Sequence, residues 1–215
     1  MIATLAGSVA TTLTWLRAIA LATLLLFQVA APAALPDNEF VRVTRDAAPC
    51  AGGAASSGPT DAACGGDRIL IALSAISVSG GTLQRGDVKI FPKGERYAPP
   101  ASGEYLEVAV KPNHPRSVLP PKPAPRSPNL HVLYENNDFI VFHESMQPGE
   151  LGPEHSHYQR LTVTLATTKV EQWTDGKEVV RDLTADTVGF GPALTHTSKA
   201  LGPGVLSNLS IEFKP

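Results

Sequence analysis

Apolar residues in this chain recur at every second position rather than at every third or fourth. Two segments show the alternation most clearly, Glu104–Lys111 and Arg160–Lys169. Their apolar positions are Leu106, Val108 and Val110 in the first and Leu161, Val163 and Leu165 in the second. A period of two is typical of β-strands with one buried face. With 19 Pro and 18 Gly in 215 residues, long helices are not expected, and the sequence predicts an all-β protein of sandwich or barrel type.

Further short segments have the composition of strands and are bounded by turn residues. We expect strands at Asp67–Leu73, Asp87–Phe91, Leu130–Tyr134, Asp138–His143, Val170–Thr174, Glu178–Leu183 and Leu206–Phe213. The dipeptide Asp175-Gly176 separates two of them and predicts a tight hairpin, because glycine tolerates the positive φ that such turns need.

The N-terminal segment resembles an export signal. Arg17 precedes an apolar run from Ala18 to Ala31, which is followed by an A-x-A cleavage pattern ending at Ala33. We expect cleavage after Ala33 and a periplasmic or secreted mature protein. The alternative is an uncleaved anchor, because Met1–Thr14 lacks the usual basic residues. Since export exposes the chain to an oxidising compartment, Cys50 and Cys64 are expected to form a disulfide.

The charge balance narrows the range of partners. A formal net charge of −2 leaves no basic footprint, so nucleic acid is not an expected partner. No membrane association is expected once the signal peptide is removed.

A proline-rich segment divides the mature chain into two similar halves. Seven prolines lie between Pro112 and Pro128, so this part is predicted to be an extended linker. We place a signal peptide at 1–33, a first half at 37–112, the linker at 113–129 and a second half at 130–215. Asn38-Glu39-Phe40-Val41 recurs 99 residues later as Asn137-Asp138-Phe139-Ile140, and Asp87 maps onto Asp186 at the same offset. This pattern indicates a duplicated unit.

The clearest chemical signal is His155-Ser156-His157. Residues i and i+2 of a strand point to one face, so both imidazoles can reach one point. Continuing this parity leads to Leu161, Val163 and Leu165, which we expect to line the interior of the same barrel. Converging imidazoles suit a borderline divalent metal. His131 and His143, in alternating strands, are interpreted as structural histidines.

These residues make the second half resemble a cupin, a small β-barrel of the jelly-roll type. The first cupin motif, G-x5-H-x-H, is matched by Gly149, His155 and His157, and His196 matches the histidine of the second motif. The first half keeps the glycine and proline framework of that second motif at Gly86, Pro92 and Gly94. Positions where ligands are expected there hold Tyr97 and Ser56 or its neighbours. The mature chain thus resembles a degenerate bicupin of two tandem jelly-roll barrels whose first half lost its metal ligands.

The resemblance implies a metal held by three histidines and one glutamate. His155, His157 and His196 supply the histidines, but Arg160, Leu161 and Thr162 stand where the acid is expected. Glu150 or Glu154 is a candidate replacement from the preceding loop. We expect Arg160, Glu154 and Leu161 to line the ligand pocket and Arg160 to favour an anionic ligand.

Two function hypotheses follow from this resemblance. The first is an exported cupin that binds Zn, Fe, Ni, Cu or Mn, not distinguished by sequence, and acts on a small anionic metabolite. The second is a non-catalytic, metal-free bicupin with a ligand-binding or structural role. Whether the chain is an enzyme stays open, because no residue selects a reaction. A homodimer is the assembly that the resemblance suggests.

Overall fold

The computed structural model describes residues 34–50 and 62–215, which contain fifteen β-strands and one 3₁₀ turn at Ala62–Gly65. The strands of the first half are β1 (Val41–Arg45), β2 (Arg68–Ala72), β3 (Ile76–Val78), β4 (Gly81–Leu83), β5 (Val88–Phe91) and β6 (Tyr105–Val110). The next five are β7 (Leu130–Glu135), β8 (Phe139–Met146), β9 (His155–His157), β10 (Arg160–Thr164) and β11 (Thr168–Thr174). The last four are β12 (Lys177–Leu183), β13 (Val188–Gly191), β14 (Leu194–Ala200) and β15 (Leu206–Phe213). The predicted signal peptide at 1–33 and Ser56 lie outside the described residues.

The strands form antiparallel sheets in both halves. The first half contains one sheet in the order β1-β6-β2-β5 and a β3-β4 hairpin, whose apolar residues pack on the sheet's outer face. The second half contains a five-stranded sheet in the order β13-β10-β15-β8-β7 and a four-stranded sheet in the order β12-β11-β14-β9. The predicted all-β architecture is confirmed. No helix in the described part of the chain is long and apolar enough to span a bilayer.

The predicted hairpin at Asp175-Gly176 is also confirmed. It joins β11 to β12, with Thr174 paired to Lys177. Both turn residues have positive φ, 51° at Asp175 and 73° at Gly176, which matches the twist of the strands that they connect.

Strand order supports the duplication more strongly than residue identities do. The order β1-β6-β2-β5 recurs in the second half as β8-β15-β10-β13. The constant offset of 99 is wrong, however, because the spacing between equivalent residues varies. Asn38 caps the backbone N–H groups two and three positions ahead, and Asn136, 98 residues later, does the same. The backbone pairing of Asp87 with Ala72 is repeated by Thr187 with Thr164, 100 residues later, so Asp87 is not equivalent to Asp186.

One hydrophobic core joins the two halves. The inner face of the first sheet contributes Val41, Val43, Ile69, Ile71, Leu106, Val108 and Val110. The five-stranded sheet contributes Phe139, Val141, Leu161, Val163, Leu209, Ile211 and Phe213. An ion pair of 2.6 Å between Arg85 and Asp186 also links the halves. Residues 35–215 accordingly form one unit.

The residues of this core show that the predicted direction of one strand face is wrong. We expected Leu161, Val163 and Leu165 to line the barrel interior together with the histidines, but all three lie in the core between the halves. The reason is that β9 pairs with β14 in one sheet, whereas β10 pairs with β13 and β15 in the other. Strand parity therefore does not continue from β9 to β10.

The proline-rich linker contains no strand and follows the surface of the second half. The Ser117 N–H donates to the carbonyl oxygen of Lys214 at 3.0 Å. The Ala124 N–H donates to the Ser156 Oγ at 2.6 Å, on the strand that carries two of the histidines.

Cys50 and Cys64 form a disulfide with their Cα atoms 5.2 Å apart. The backbone N–H of Cys50 donates to the Glu107 carboxylate at 3.3 Å, which ties this end of the loop to β6.

Candidate metal centre

Two adjacent strands of the four-stranded sheet present the three histidines. His155 and His157 lie two positions apart on β9, so their side chains point to the same face. His196 lies on β14 directly opposite His155, and Leu194 lies opposite His157. Short-range alternation and cross-strand register therefore bring together three residues that are up to 41 positions apart in the chain.

The three imidazoles form a compact buried cluster. One nitrogen of each ring lies within 4.8 Å of the others, and the ring centroids are 4.5 to 5.1 Å apart. The exposed fractions are 1% for His155, 2% for His157 and 7% for His196. The Nε2 atoms of His155 and His196 are 3.0 Å apart, a hydrogen-bond distance. Three buried nitrogens facing one point are the donor set of an open metal site.

Each ring has a defined neighbour at its outer nitrogen. The Nδ1 of His155 is 2.9 Å from the carbonyl oxygen of Pro153, to which it donates. The Nδ1 of His196 contacts the side-chain amide of Gln172 on β11. The Nδ1 of His157 faces the Glu212 carboxylate at 3.6 Å, longer than a hydrogen bond. These outer contacts leave Nε2 of each ring for the centre of the cluster.

Burial keeps two of the three histidines, His157 and His196, in the form that binds metals. Desolvation, reinforced by His157, His155 and the Arg160 and Arg181 guanidinium groups, lowers the pKa of His196 to about 2. Desolvation and then Arg160 hold the pKa of His157 well below its usual value. At neutral pH these imidazoles are uncharged, which is the ligating form.

Glu212 is the buried acid that sequence reasoning missed. It lies on β15 opposite Arg160, is 3% exposed, and accepts a hydrogen bond from the Tyr158 N–H. Burial raises the pKa of its carboxyl, against the lowering effects of the Tyr158 N–H and Arg160. The sequence signal was available, since Glu212 occupies a polar position of the predicted strand Leu206–Phe213 and shares a face with Ser210.

The acids expected to replace the missing ligand lie elsewhere. Glu154 is exposed and outside the lining of the cavity beside the cluster. The Glu150 carboxylate accepts hydrogen bonds from Asn129 Nδ2 at 2.6 Å and from the Gln147 N–H at 2.7 Å. Glu150 therefore closes a turn rather than joining the histidines, and the predicted pocket role of Glu154 is wrong.

A cavity of about 500 Å³ opens beside His196. Strands β10 and β15 line it with their polar faces, and β11 to β14 complete its wall. Its polar lining includes Glu144, Arg160, Thr162, Gln172, Arg181, His196, Asn208 and Ser210. Arg160 belongs to this lining. Leu161 does not, because it points from the opposite face of β10 into the core between the halves.

The remaining histidines lie outside the cluster. His143 Nε2 is 2.8 Å from the Ser207 Oγ, and His131 lies opposite His143 on the edge strand β7. Neither belongs to the three-histidine group.

Within residues 34–50 and 62–112, the first half shows no counterpart of the two ligand-bearing strands. No strand occupies the described residues between β1 and β2 or the loop between β5 and β6, which are the places equivalent to β9 and β14. Tyr97 lies in the second of these loops, where its ring stacks on Phe91 at 4.2 Å. The loop between β5 and β6 therefore contains no counterpart of β14.

Comparisons with known proteins give matches in solved structures. No family model and no curated protein matches the chain. A cupin domain from Bordetella pertussis is 20% identical over 44% of this chain and 99% of its own, with a TM-score of 0.39. A cupin 2 conserved barrel domain protein from Leptotrichia buccalis is 15% identical over 69% of this chain and 74% of its own, with a TM-score of 0.44. The Bacillus subtilis oxalate decarboxylase, described with Mn(II) centres, is 13% identical over 70% of this chain and 64% of its own, with a TM-score of 0.45.

The second half has the two antiparallel sheets of a jelly-roll barrel, the fold that the sequence resemblance to cupins implies. The two histidines of the first motif lie on β9, and the histidine of the second motif lies on β14. The cluster departs in one respect from the donor set that the resemblance implies, since no carboxylate belongs to it among the described residues.

Proposed function

We propose that this protein binds one divalent transition metal through His155, His157 and His196, as its resemblance to cupins suggests. The observation that carries the proposal is that three buried imidazoles direct nitrogens to one point while their outer nitrogens face other groups. A set of three histidines leaves coordination positions open for a ligand or substrate.

The donor chemistry favours some metals over others. Three neutral nitrogens suit Zn, Cu and Ni, whereas Mn and Fe(II) are favoured by a carboxylate that this cluster lacks. Such a metal, when bound, supplies Lewis-acid polarisation or O2 activation. For His196 to bind a metal through Nε2, its Nδ1 must carry the proton, and the Gln172 amide oxygen can accept that proton when it is turned toward Nδ1.

We further propose that the cavity takes a small anionic molecule and that the protein acts in the periplasm or outside the cell. The Arg160 guanidinium in the cavity wall supports an anionic ligand. The Cys50–Cys64 disulfide and the apolar N-terminal run followed by Ala31-Pro32-Ala33 support export.

Metal content of the purified protein tests the proposal. The protein is incubated with Zn, Fe, Ni or Cu, freed of loose metal and analysed for its elements. We expect about one equivalent of at least one metal, lost in His196→Ala and kept in His131→Ala, which removes an exposed histidine. Less than about a tenth of an equivalent with every metal contradicts the proposal.

A metal-free binding protein is the second candidate, and one contact favours it. His155 and His196 are within hydrogen-bond distance, so the cluster can satisfy itself without an ion. In that arrangement Gln172 donates to His196, His196 donates to His155, and His155 donates to Pro153. This candidate predicts that His196→Ala leaves the metal content unchanged.

A further inference from the structure

Two buried polar atoms in the cavity wall have no hydrogen-bond partner within residues 34–50 and 62–215. One is the Arg160 Nη1 on β10, a donor, and the other is the Asn208 Oδ1 on β15, an acceptor. A buried polar atom left unsatisfied costs about 1–3 kcal/mol, so such atoms are uncommon unless something binds them.

The roles of both atoms are fixed by their surroundings. Asn208 Nδ2 donates to the Glu144 carboxylate at 3.1 Å, and this contact requires the amide nitrogen on that side. The Oδ1 atom is therefore the unpartnered acceptor. The guanidinium of Arg160 has donors only, so its Nη1 needs an acceptor.

Charges around Arg160 limit the ligand to a small negative charge. Arg181, from β12, contributes a second guanidinium to the same cavity and lies close enough to influence Arg160. Glu144 and Glu212 contribute opposite charge near Arg160. Because the two acids offset the two guanidinium charges, the site suits a singly charged carboxylate better than a doubly charged phosphate.

The positions of the two residues on the strands bound the length of the ligand. Thr164 pairs with Asn208, so Arg160 and Asn208 are four strand positions apart, about 13 Å between backbones at 3.3 Å per residue. Both residues line the same cavity. A chain of several carbons can therefore place one end at Arg160 and extend toward Asn208.

We propose that the cavity binds a polyhydroxylated carboxylic acid, with its carboxylate on Arg160 and a hydroxyl donating to Asn208 Oδ1. Thr162 and Ser210, which also line the cavity, offer further hydroxyl contacts. Arg160 and Asn208 are thereby the residues that determine specificity. The inference rests on the proposed function only in placing the ligand beside the metal centre. The contacts of the ligand with Arg160 and Asn208 do not require a metal.

Calorimetric titration of the protein freed of metal with a chelator tests this inference. The probes are gluconate, hexanoate, which has the carboxylate alone, glucitol, which has the hydroxyls alone, and inorganic phosphate. We expect gluconate to bind at least 10-fold more tightly than each of the other three. Gluconate binding no tighter than hexanoate or glucitol, or weaker than phosphate, overturns the proposal.

Two variants assign the contacts. Asn208→Ala is expected to lower gluconate affinity about 10-fold without changing hexanoate affinity, a loss typical of one hydrogen bond in a closed site. Arg160→Lys removes the Nη1 donor but keeps the charge, and should weaken both acids without changing glucitol affinity. Arg116→Lys, on the exposed surface, is the control and should change none of the affinities.

Near-ultraviolet circular dichroism establishes that each variant is folded before its affinities are compared. Equal losses for all probes in a folded Asn208→Ala variant contradict the assigned contact. These titrations contain no metal, so they test the ligand contacts alone. Failure of the metal proposal would appear only in the measurement of metal content.

Discussion

At the scale of single residues, the proposed metal site depends on side chains outside the histidine motif. Gln172 and Glu212 face the outer nitrogens of His196 and His157. Such outer partners orient metal-binding imidazoles and are commonly worth 10- to 100-fold in affinity.

Gln172 gives the first prediction at this scale. Gln172→Leu removes the partner of His196 Nδ1, so we expect zinc affinity to fall about 10-fold in a competition titration with a chelator. Gln172→Glu keeps an acceptor for an Nδ1 proton and should bind zinc at least as tightly as the unaltered protein. Equal zinc affinity in the leucine variant would show that Gln172 has no orienting role.

Glu107 gives a prediction about pH. Burial raises the pKa of its carboxyl to about 7, although the Cys50 N–H, Arg68 and Arg42 oppose the shift. Because the folded state holds this proton more tightly than the unfolded chain, its contribution is complete below about pH 4.5 and is lost as pH rises through 7. The loss amounts to about 3 kcal/mol at most.

Glu107→Gln should remove that pH dependence. We expect the variant to match the parent protein in free energy of unfolding near pH 5 and to exceed it at pH 8, as measured with urea. The glutamine oxygen can still accept from the Cys50 N–H. Identical pH profiles of the two proteins would contradict the buried, uncharged state of Glu107.

At the scale of strands, the sequence predicted the strands with regular apolar alternation and missed strands with few apolar residues. Predicted segments at Leu206–Phe213 and Glu104–Lys111 contain β15 and β6, because alternating large residues give a clear period. Strand β14 has only two apolar residues, Leu194 and Ala200, so apolar alternation did not predict it. The histidines could be predicted from their spacing. Glu212 lies at a polar position of a predicted strand, but only the fold places its carboxylate next to His157 on the other sheet.

The direction of β10 was mistaken for a specific physical reason. Tyr158 and Gln159 carry the chain from one sheet to the other, so the side-chain alternation restarts at Arg160. As a result the polar face of β10 lines the cavity, and its apolar face joins the core between the halves.

Leu161 tests this reversal. Leu161→Ala is expected to destabilise the fold by about 2–5 kcal/mol, since the side chain is fully buried in the shared core. Metal stoichiometry and gluconate affinity should stay unchanged in the folded variant. Leu151→Ala, at an exposed site, is the matched control, with a change within about 0.5 kcal/mol. A loss of metal in a folded Leu161→Ala variant would indicate that Leu161 belongs to the ligand pocket, contrary to its place in the shared core.

At the scale of the whole molecule, the two halves have a related strand order but different contents. The four-strand order of the first sheet recurs within the five-stranded sheet of the second half, and these two sheets pack face to face. Among the described residues, an opposing four-stranded sheet, which carries the histidines, is found only in the second half. The first half covers the apolar face of the five-stranded sheet.

A shared core predicts cooperative unfolding of both halves. Calorimetry of the disulfide-bonded protein should show one transition with equal calorimetric and van't Hoff enthalpies. Two separate transitions would show that each half folds by itself, contrary to the common core.

X-ray absorption of the protein loaded with one equivalent of zinc tests the three-histidine site. We predict three imidazole nitrogens at about 2.0–2.1 Å from the metal, with one imidazole missing in His196→Ala. A zinc spectrum without imidazole scattering, or one that is identical in the His196→Ala variant, would contradict it.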